Sequence, residues 1–231
     1  MNKPLFTVFI VAYYPPKYLP IAVKSITNQT YKNIEIILVN HGAHVDSINY
    51  INKVQEADDR VKVINYKHNL YTPSDPMRII EPWNKVLEVS TGEYIMQISD
   101  DNFLSDNYIE KMVKLFQENK ECTTAAGLIT SVNSKGEIKG NRISNYRSRY
   151  MPGHFLVLDR LRSGKSTIFS SSGGGSVFAI RKESLVDAGG YHKQVDDSIE
   201  YGIVPFGITG FDEDAVYYWR HHAQQTNKKA S

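Results

Sequence analysis

The sequence predicts an α/β protein built on a doubly wound, mostly parallel central sheet. Short β-branched runs alternate with apolar residues at helical spacing through about residue 118. The run Tyr94 to Ile98 is apolar at successive positions, as in a central strand buried on both faces. That run leads straight into Asp100 and Asp101, placing two carboxylates at the strand end where open α/β sheets bind ligands.

Taken in order, Leu5 to Ala12 is a buried strand, broken by Tyr13-Tyr14-Pro15-Pro16. Leu19, Ala22, Val23 and Ile26 recur at helical spacing, and Ile34 to Val39 is a second buried strand ending in Asn40-His41-Gly42. Val45, Ile48, Ile51 and Val54 mark a second helix, and Val61 to Ile64 a third strand. Ile80, Trp83 and Leu87 mark a third helix entered or kinked at Pro82, closed by Gly92. After the acidic pair, Ile109, Met112, Val113 and Phe116 give a fourth helix. The strand ends at 12–14, 40–42 and 99–102 are therefore expected to gather at one edge.

The second half is less regular. Cys122 to Thr130 reads as a strand and Asn133-Ser-Lys-Gly136 as a turn. Residues 141–170 carry Arg142, Arg147, Arg149, Arg160, Arg162 and Lys165 among aromatics, either a solvated loop-rich face or a basic wall over an anionic substrate. Ser170 to Ser176 contains three glycines, yet lacks the Lys-Ser/Thr of a P-loop and the strand–helix setting of a dinucleotide fingerprint; a mobile loop beside a site is expected. Val177 to Ile180 is a strand, Lys182 to Asp187 a short helix, and Gly189-Gly190 its stop.

The bulk properties bound the function. A chain of 231 residues supports one sizeable core, and 41% hydrophobic with 11% aromatic residues is ordinary globular composition. The net charge of +2 gives no argument for nucleic-acid or membrane binding by charge alone. No run of about 18 apolar residues is present, so no membrane span is expected. The apolar N-terminal stretch lacks a small-residue cleavage site and reads as the first strand rather than a signal peptide. A single cysteine, Cys122, excludes an internal disulfide, suits a reducing compartment, and is expected to be a buried thiol. These observations point to the cytoplasm, with peripheral association at the inner face of a membrane left open. The polar end, Asn227 to Ser231, reads as a natural tail or the cut edge of a longer protein.

Adjacent carboxylates repel, so a cation usually compensates them. A divalent metal carrying a phosphate would do so, with Mg²⁺ or Mn²⁺ favoured by oxygen ligands. The competing reading is a cap for the next helix, since Asn102, Ser105 and Asp106 follow directly.

At this point the residues resemble the family 2 glycosyltransferases, which have the nucleotide-sugar-binding GT-A fold. Val8 to Tyr14 looks like that family's opening strand and its Thr/Ser-Tyr-Asn loop. Ser25-Ile26 with Gln29-Thr30-Tyr31 is similar to its Ser-Ile…Gln-Thr-Tyr segment, and Ile34 to Val39 to the strand that follows. Asn84 with Gly92-Glu93-Tyr94-Ile95 resembles the run before the acidic motif, and Asp100-Asp101-Asn102 resembles the form in the bacterial spore-coat polysaccharide member. Gly189-Gly190-Tyr191 and Tyr217 to His222 look like the late Gly-Gly-Phe/Tyr and Tyr-Tyr-Arg-x-His segments.

The resemblance implies one domain over 1–231, with a nucleotide-sugar-binding half at 1–118 and an acceptor-binding, catalytic half at 119–231. It implies a metal-dependent, inverting transferase that moves a sugar from a nucleotide diphosphate, a UDP-sugar being the first expectation, to a glycan or other hydroxyl acceptor in surface polysaccharide biosynthesis. The Asp-x-Asp motif would be Ser99-Asp100-Asp101, with Asp101 on Mn²⁺ or Mg²⁺ and Asp100 near the ribose. Ala12, Tyr13 and Tyr14 would hold base and ribose, Arg78 would approach the diphosphate or base, and His222 would be a second metal ligand. The base that takes the acceptor proton would be Asp197, then Asp196, then Asp214.

Several positions depart from the family pattern. Asn40-His41 replaces an acidic pair that grips uracil, so either His41 meets the base edge or the nucleotide is not a uridine. Ser99 replaces the first motif aspartate, and 198–207 lacks the family's Leu-x-x-Arg. These changes keep a second class open, a non-catalytic nucleotide-sugar or glycan-binding domain on the same fold. A sugar nucleotidylyltransferase is disfavoured because Tyr-Tyr-Pro-Pro stands where its Gly-rich loop would be.

Overall fold

The computed structural model describes residues 3–13, 16–70, 80–143, 148–163, 177–192 and 195–223, with backbone alone at 141–143, 159–161, 163, 195–197 and 200. Tyr14, Arg78 and the 170–176 loop lie outside the described residues. Ten strands form one sheet, in the order β3-β2-β1-β4-β9-β6-β10-β5, with β7 beside β6 and β8 beside β10.

In the first half, β1 (Phe6–Ala12), β2 (Ile34–His41), β3 (Val61–Tyr66) and β4 (Tyr94–Gln97) are parallel. The helices α1 (Leu19–Thr27), α2 (Val45–Ala57) and α3 (Glu81–Val89) connect them, as the sequence periodicity predicts. β1 is central, flanked by β2 and β4, and its Phe6, Val8, Phe9 and Ile10 are fully buried. A strand covered on both faces needs an uninterrupted apolar run, which is why it reads that way in sequence.

One charged group enters this layer. Glu35 on β2 stands opposite Thr7 on β1 and is 5% exposed. It accepts from Thr7 Oγ1 (2.6 Å), Lys62 Nζ (2.5 Å), Thr91 N (2.9 Å) and Thr91 Oγ1 (2.9 Å). A buried carboxylate is stable only when so satisfied.

The second half inserts more strands and shorter helices. After the two-residue β5 (Phe103–Leu104) come α4 (Tyr108–Glu118), β6 (Cys122–Val132), β7 (Ile138–Ile143) and β8 (Tyr150–Pro152). α5 (Gly153–Ser163), β9 (Phe178–Arg181), α6 (Lys182–Asp187), α7 (Val195–Gly202), a 3-10 turn at Val204–Phe206 and β10 (Ile208–Arg220) complete it. β9 lies antiparallel between β4 and β6, joining the halves into one sheet, and β10 runs parallel to β6.

β10 is not announced by the sequence. Its apolar residues are interrupted by Asp212-Glu213-Asp214, where the pairing with β6 is irregular. Between Asp212 and Val216 the chain takes four steps along β10 against one along β6, from Gly127 to Leu128. Asp212 is buried there and paired with Arg149 (3.2 Å) and Lys111 (3.7 Å). Arg149 also holds Glu118 at 2.9 Å, so this member of the basic 141–170 stretch braces β8 and α4 against the bulge. α5 likewise occupies a region expected to be loop-rich, with Leu156 and Val157 buried beneath it.

The Gly189-Gly190-Tyr191 segment is held from across the fold. Asn84 of α3 accepts the Tyr191 N–H and donates to the Tyr191 carbonyl, both at 2.8 Å. Gly190 has φ +80°, and a Cβ there would meet Asn84 Oδ1 at 2.8 Å. Tyr191 packs edge-on against Phe9, whose carbonyl accepts from Ile98 N, two residues before Asp100. The segment leading into α7 is thus anchored beside the strand that carries the acidic pair. Cys122 is fully buried as expected, and burial pushes its thiol up to about 11.

Burial alone raises the Glu35 carboxyl, but its bonds to Lys62, Thr7 and Thr91 outweigh burial and hold it below the usual carboxylate value. Its stabilisation is therefore complete above that value and is lost as pH falls through the lowered folded-state value. Glu35→Gln is expected to cost about 1–3 kcal/mol at pH 7. Denaturant titration from pH 7 to 3 should show wild type and variant converging at the acid end.

Candidate active site

The site forms where the carboxyl ends of β1 and β4 meet the end of β10. β4 stops at Gln97, and Ile98 to Asn102 leads as a short turn into β5. α4 starts at Tyr108, with Asn107 as the residue before it. The acidic pair therefore does not cap that helix.

Asp100 accepts from the backbone N–H of Tyr13, which joins the turn after β1 to the acidic loop. Burial first, and the Asp101 charge second, raise the Asp100 carboxyl to about 7, against the lowering effect of its backbone hydrogen bonds. Asp101 meets a residue beyond the end of β10 instead. Its Oδ2 lies 3.0 Å from His222 Nε2, across 121 residues of sequence. Asp101 keeps 21% and His222 11% of their side-chain surface exposed, so this pair stands at the rim.

What holds the pair is Arg220, which is 1% exposed. Its backbone N–H donates to Asn102 Oδ1 (2.9 Å), and Asn102 Nδ2 donates to the Tyr217 hydroxyl (3.0 Å). Its Nε donates to the Asp101 carbonyl at 2.9 Å. The guanidinium lies over Tyr18 (4.6 Å) and Phe103 (5.1 Å), and the Tyr18 ring meets the His222 ring at 4.8 Å.

The other expected residues fall as follows. Ala12 is the buried last residue of β1, paired with Asn40, and Tyr13 is 42% exposed. His41 is 2% exposed at the end of β2, and its Nε2 accepts from Leu70 N at 3.0 Å. Burial, then His68, lowers its pKa, so the ring is neutral at pH 7 with its proton on Nδ1. Asn40 is committed to Asn65 (3.1 Å) and Ala43 N (2.9 Å). Asp196 and Asp197 lie in the first turn of α7, and their side chains are outside the described residues. Asp214 is on the β10 bulge, 72% exposed and 3.1 Å from Lys111. It lies six residues before Arg220, roughly 20 Å back along an extended strand. The geometry gathers Tyr13, Asp100, Asp101 and His222, and does not bring Asp214 to them.

Sequence reasoning missed Tyr18, Asn102, Tyr217 and Arg220 as site builders. The signal for Arg220 was a charge set among the apolar residues of the Tyr217 to Arg220 run.

Asp101 and His222 set an oxygen and a nitrogen donor side by side, a pair that Mn²⁺ accepts more readily than the oxygen-seeking Mg²⁺. Among the described residues no cluster of three or more ligating side chains occurs. Two protein donors alone would leave most of an ion's coordination positions to other oxygen ligands.

The sequence model described as Glycosyl transferase family 2 matches residues 7–184. The chain belongs to this family. An uncharacterized glycosyltransferase of Haemophilus influenzae is 29% identical over 134 residues, 58% of this family 2 chain and 39% of that protein. S. aureus TarS 1–349 in complex with UDP-GlcNAc has the same fold, with TM-score 0.75, 16% identity, and coverage of 98% of this chain and 61% of that one. The mannosyltransferase PcManGT from Pyrobaculum calidifontis, in complex with GDP-Man and Mn2+, superposes with TM-score 0.66 and 15% identity, covering 99% and 60%. The chain thus spans about two-fifths of the first relative and three-fifths of these structures. Among the described residues no helix is long and apolar enough to cross a membrane.

Because the unfolded chain ionises Asp100 at an ordinary carboxylate pH and the folded one near 7, Asp100 costs stability progressively as pH rises across that interval. In chelator-treated protein, Asp100→Asn is expected to be more stable than wild type at pH 8 by about 1–2 kcal/mol. Urea midpoints should show that gain shrinking to nothing near pH 4; a loss of stability at pH 8 would contradict the assignment.

Proposed function

We propose that this family 2 chain is a metal-dependent, inverting glycosyltransferase acting on a nucleoside-diphosphate sugar. The observation that carries the reading is the approach of His222 to Asp101 at the sheet's carboxyl edge, beside the half-buried Asp100. UDP-GlcNAc in one structural neighbour and GDP-Man with Mn2+ in another support a nucleotide-sugar donor and a divalent ion. The acceptor is a glycan or other hydroxyl compound of surface polysaccharide biosynthesis.

Asp101 and His222 would hold Mn²⁺ or Mg²⁺, which when bound stabilises the negative charge of a leaving diphosphate. Asp100 and the turn of Ala12, Tyr13 and Tyr14 would orient ribose and base, with Arg78 toward the diphosphate. The acceptor oxygen attacks the anomeric carbon as the bond to the diphosphate breaks, and one displacement inverts the centre. The hydroxyl proton passes to Asp197, with Asp196 as the next choice in the same turn of α7. The anchoring of Tyr191 on Asn84 and Phe9 supports this choice, and the Lys111 pairing of Asp214 argues against the third candidate. His41, with Nε2 taken by Leu70, would offer a base edge its Nδ1–H.

Asn40 and His41 also favour a second reading. Neither is a carboxylate, and both have polar atoms committed within the protein, as suits a non-catalytic domain that binds glycan or nucleotide-sugar.

Calorimetric titration of UDP, GDP, CDP and dTDP, each with and without Mn²⁺, tests the donor site. One nucleotide is expected to bind only with metal, with affinity falling at least about tenfold in Asp101→Ala. Absence of binding by all four would favour the second reading. With the donor known, Asp197→Asn is expected to lower turnover about 10²–10⁴-fold at unchanged donor affinity. Asp214→Asn should stay near wild type, and the reverse pattern would move the base to Asp214.

A further inference from the structure

We propose that Arg220 is the positioning residue of the site, fixing the Asp101 backbone and coupling the β6–β7 hairpin to it. The inference rests on the metal-site reading above and adds a residue to it.

A guanidinium is a rigid planar fork with five N–H groups, so one side chain can bind diverging acceptors at fixed angles. In Arg220 the Nε edge donates to the Asp101 carbonyl at 2.9 Å. Nη1 donates to the Ser134 carbonyl (3.2 Å) and the Asn133 carbonyl (3.4 Å) in the turn between β6 and β7. These acceptors are backbone atoms, so the bonds locate main chain rather than neutralise side chains. The stacked faces of Tyr18 and Phe103 fix the plane of the fork.

Both proposed metal ligands are tied to this one group. Asp101 is held through its own carbonyl. His222 follows two residues after Arg220, and its ring packs on the Tyr18 ring that also covers the guanidinium. The turn at Asn133–Gly136 opens the β6–β7 hairpin in the 119–231 half, and the same fork binds it. Movement of that hairpin is therefore transmitted to the Asp101 backbone through two hydrogen-bonded edges of one rigid side chain. A lysine keeps the charge and the ring contacts but presents a point of donors, and it cannot span the two segments.

The test compares wild type, Arg220→Lys and Glu35→Gln, the last a control that lowers stability away from the site. Calorimetry with UDP and GDP in the presence of Mn²⁺ is expected to show at least about tenfold weaker metal-dependent binding in Arg220→Lys, and less than about twofold change in Glu35→Gln. Amide hydrogen exchange on the metal-free proteins is expected to rise together at 99–103 and 131–136 in Arg220→Lys alone. Wild-type affinity in Arg220→Lys would overturn the proposal, as would exchange that is unchanged or rises in one segment only. If wild type binds neither nucleotide, the donor-site reading is what fails for them, and the paired exchange result decides the coupling by itself. Should Arg220→Lys not fold, Tyr18→Leu removes one face of the stack, and the same paired rise with about threefold weaker binding is expected.

Discussion

The structure depends on a desolvated guanidinium that is satisfied by main-chain oxygens. Burying a charged group costs several kcal/mol unless every polar atom finds a partner. Arg220 meets that condition only while the acidic loop, the end of β10 and the β6–β7 turn stand together. The charge therefore stabilises one mutual arrangement of three segments and penalises the others. Hydrophobic burial, being non-directional, would not impose that selectivity.

Around this point the two halves divide the work. The parallel first half supplies strand ends at one edge and a deep apolar core, with Glu35 a buried charge satisfied within it. The second half returns through β9, beside β4, and then through β10, which ends next to Asp101. Asn84, far back on α3, binds both backbone atoms of Tyr191 and so ties the approach to α7 to the first half. The site is assembled from residues near 12, 100 and 220, and each is fixed by a directional bond.

The first half was legible because its physics is local. Buried parallel strands need continuous apolar runs, and amphipathic helices need apolar residues at three- and four-residue spacing. Ile34 to Val39 or Ile109 to Phe116 therefore declare themselves. The position of the acidic pair was legible too, since it follows directly on a buried strand and such strand ends gather at one edge. β10 was not, because its bulge breaks the alternation and places Asp212 inside, where the distant Arg149 and Lys111 help make it tolerable. Arg220 escaped for the same reason: its partners are carbonyl oxygens at 101, 133 and 134, and carbonyls leave no mark in a sequence. Asp214 stood third among the expected bases, and nothing nearby in sequence revealed its Lys111 partner on α4.

The bulge in β10 has a consequence for how this chain can change. Strand side chains alternate faces, so a one-residue shift in register exchanges the two faces of everything downstream. The extra residues at 213–215 lie between the segment paired with β8 and the segment that ends in Arg220 and His222. They act as a phase-setting spacer: point substitutions there leave the alternation intact, while an insertion or deletion of one residue inverts it. In evolutionary terms the bulge is constrained in length, where a surface loop is not.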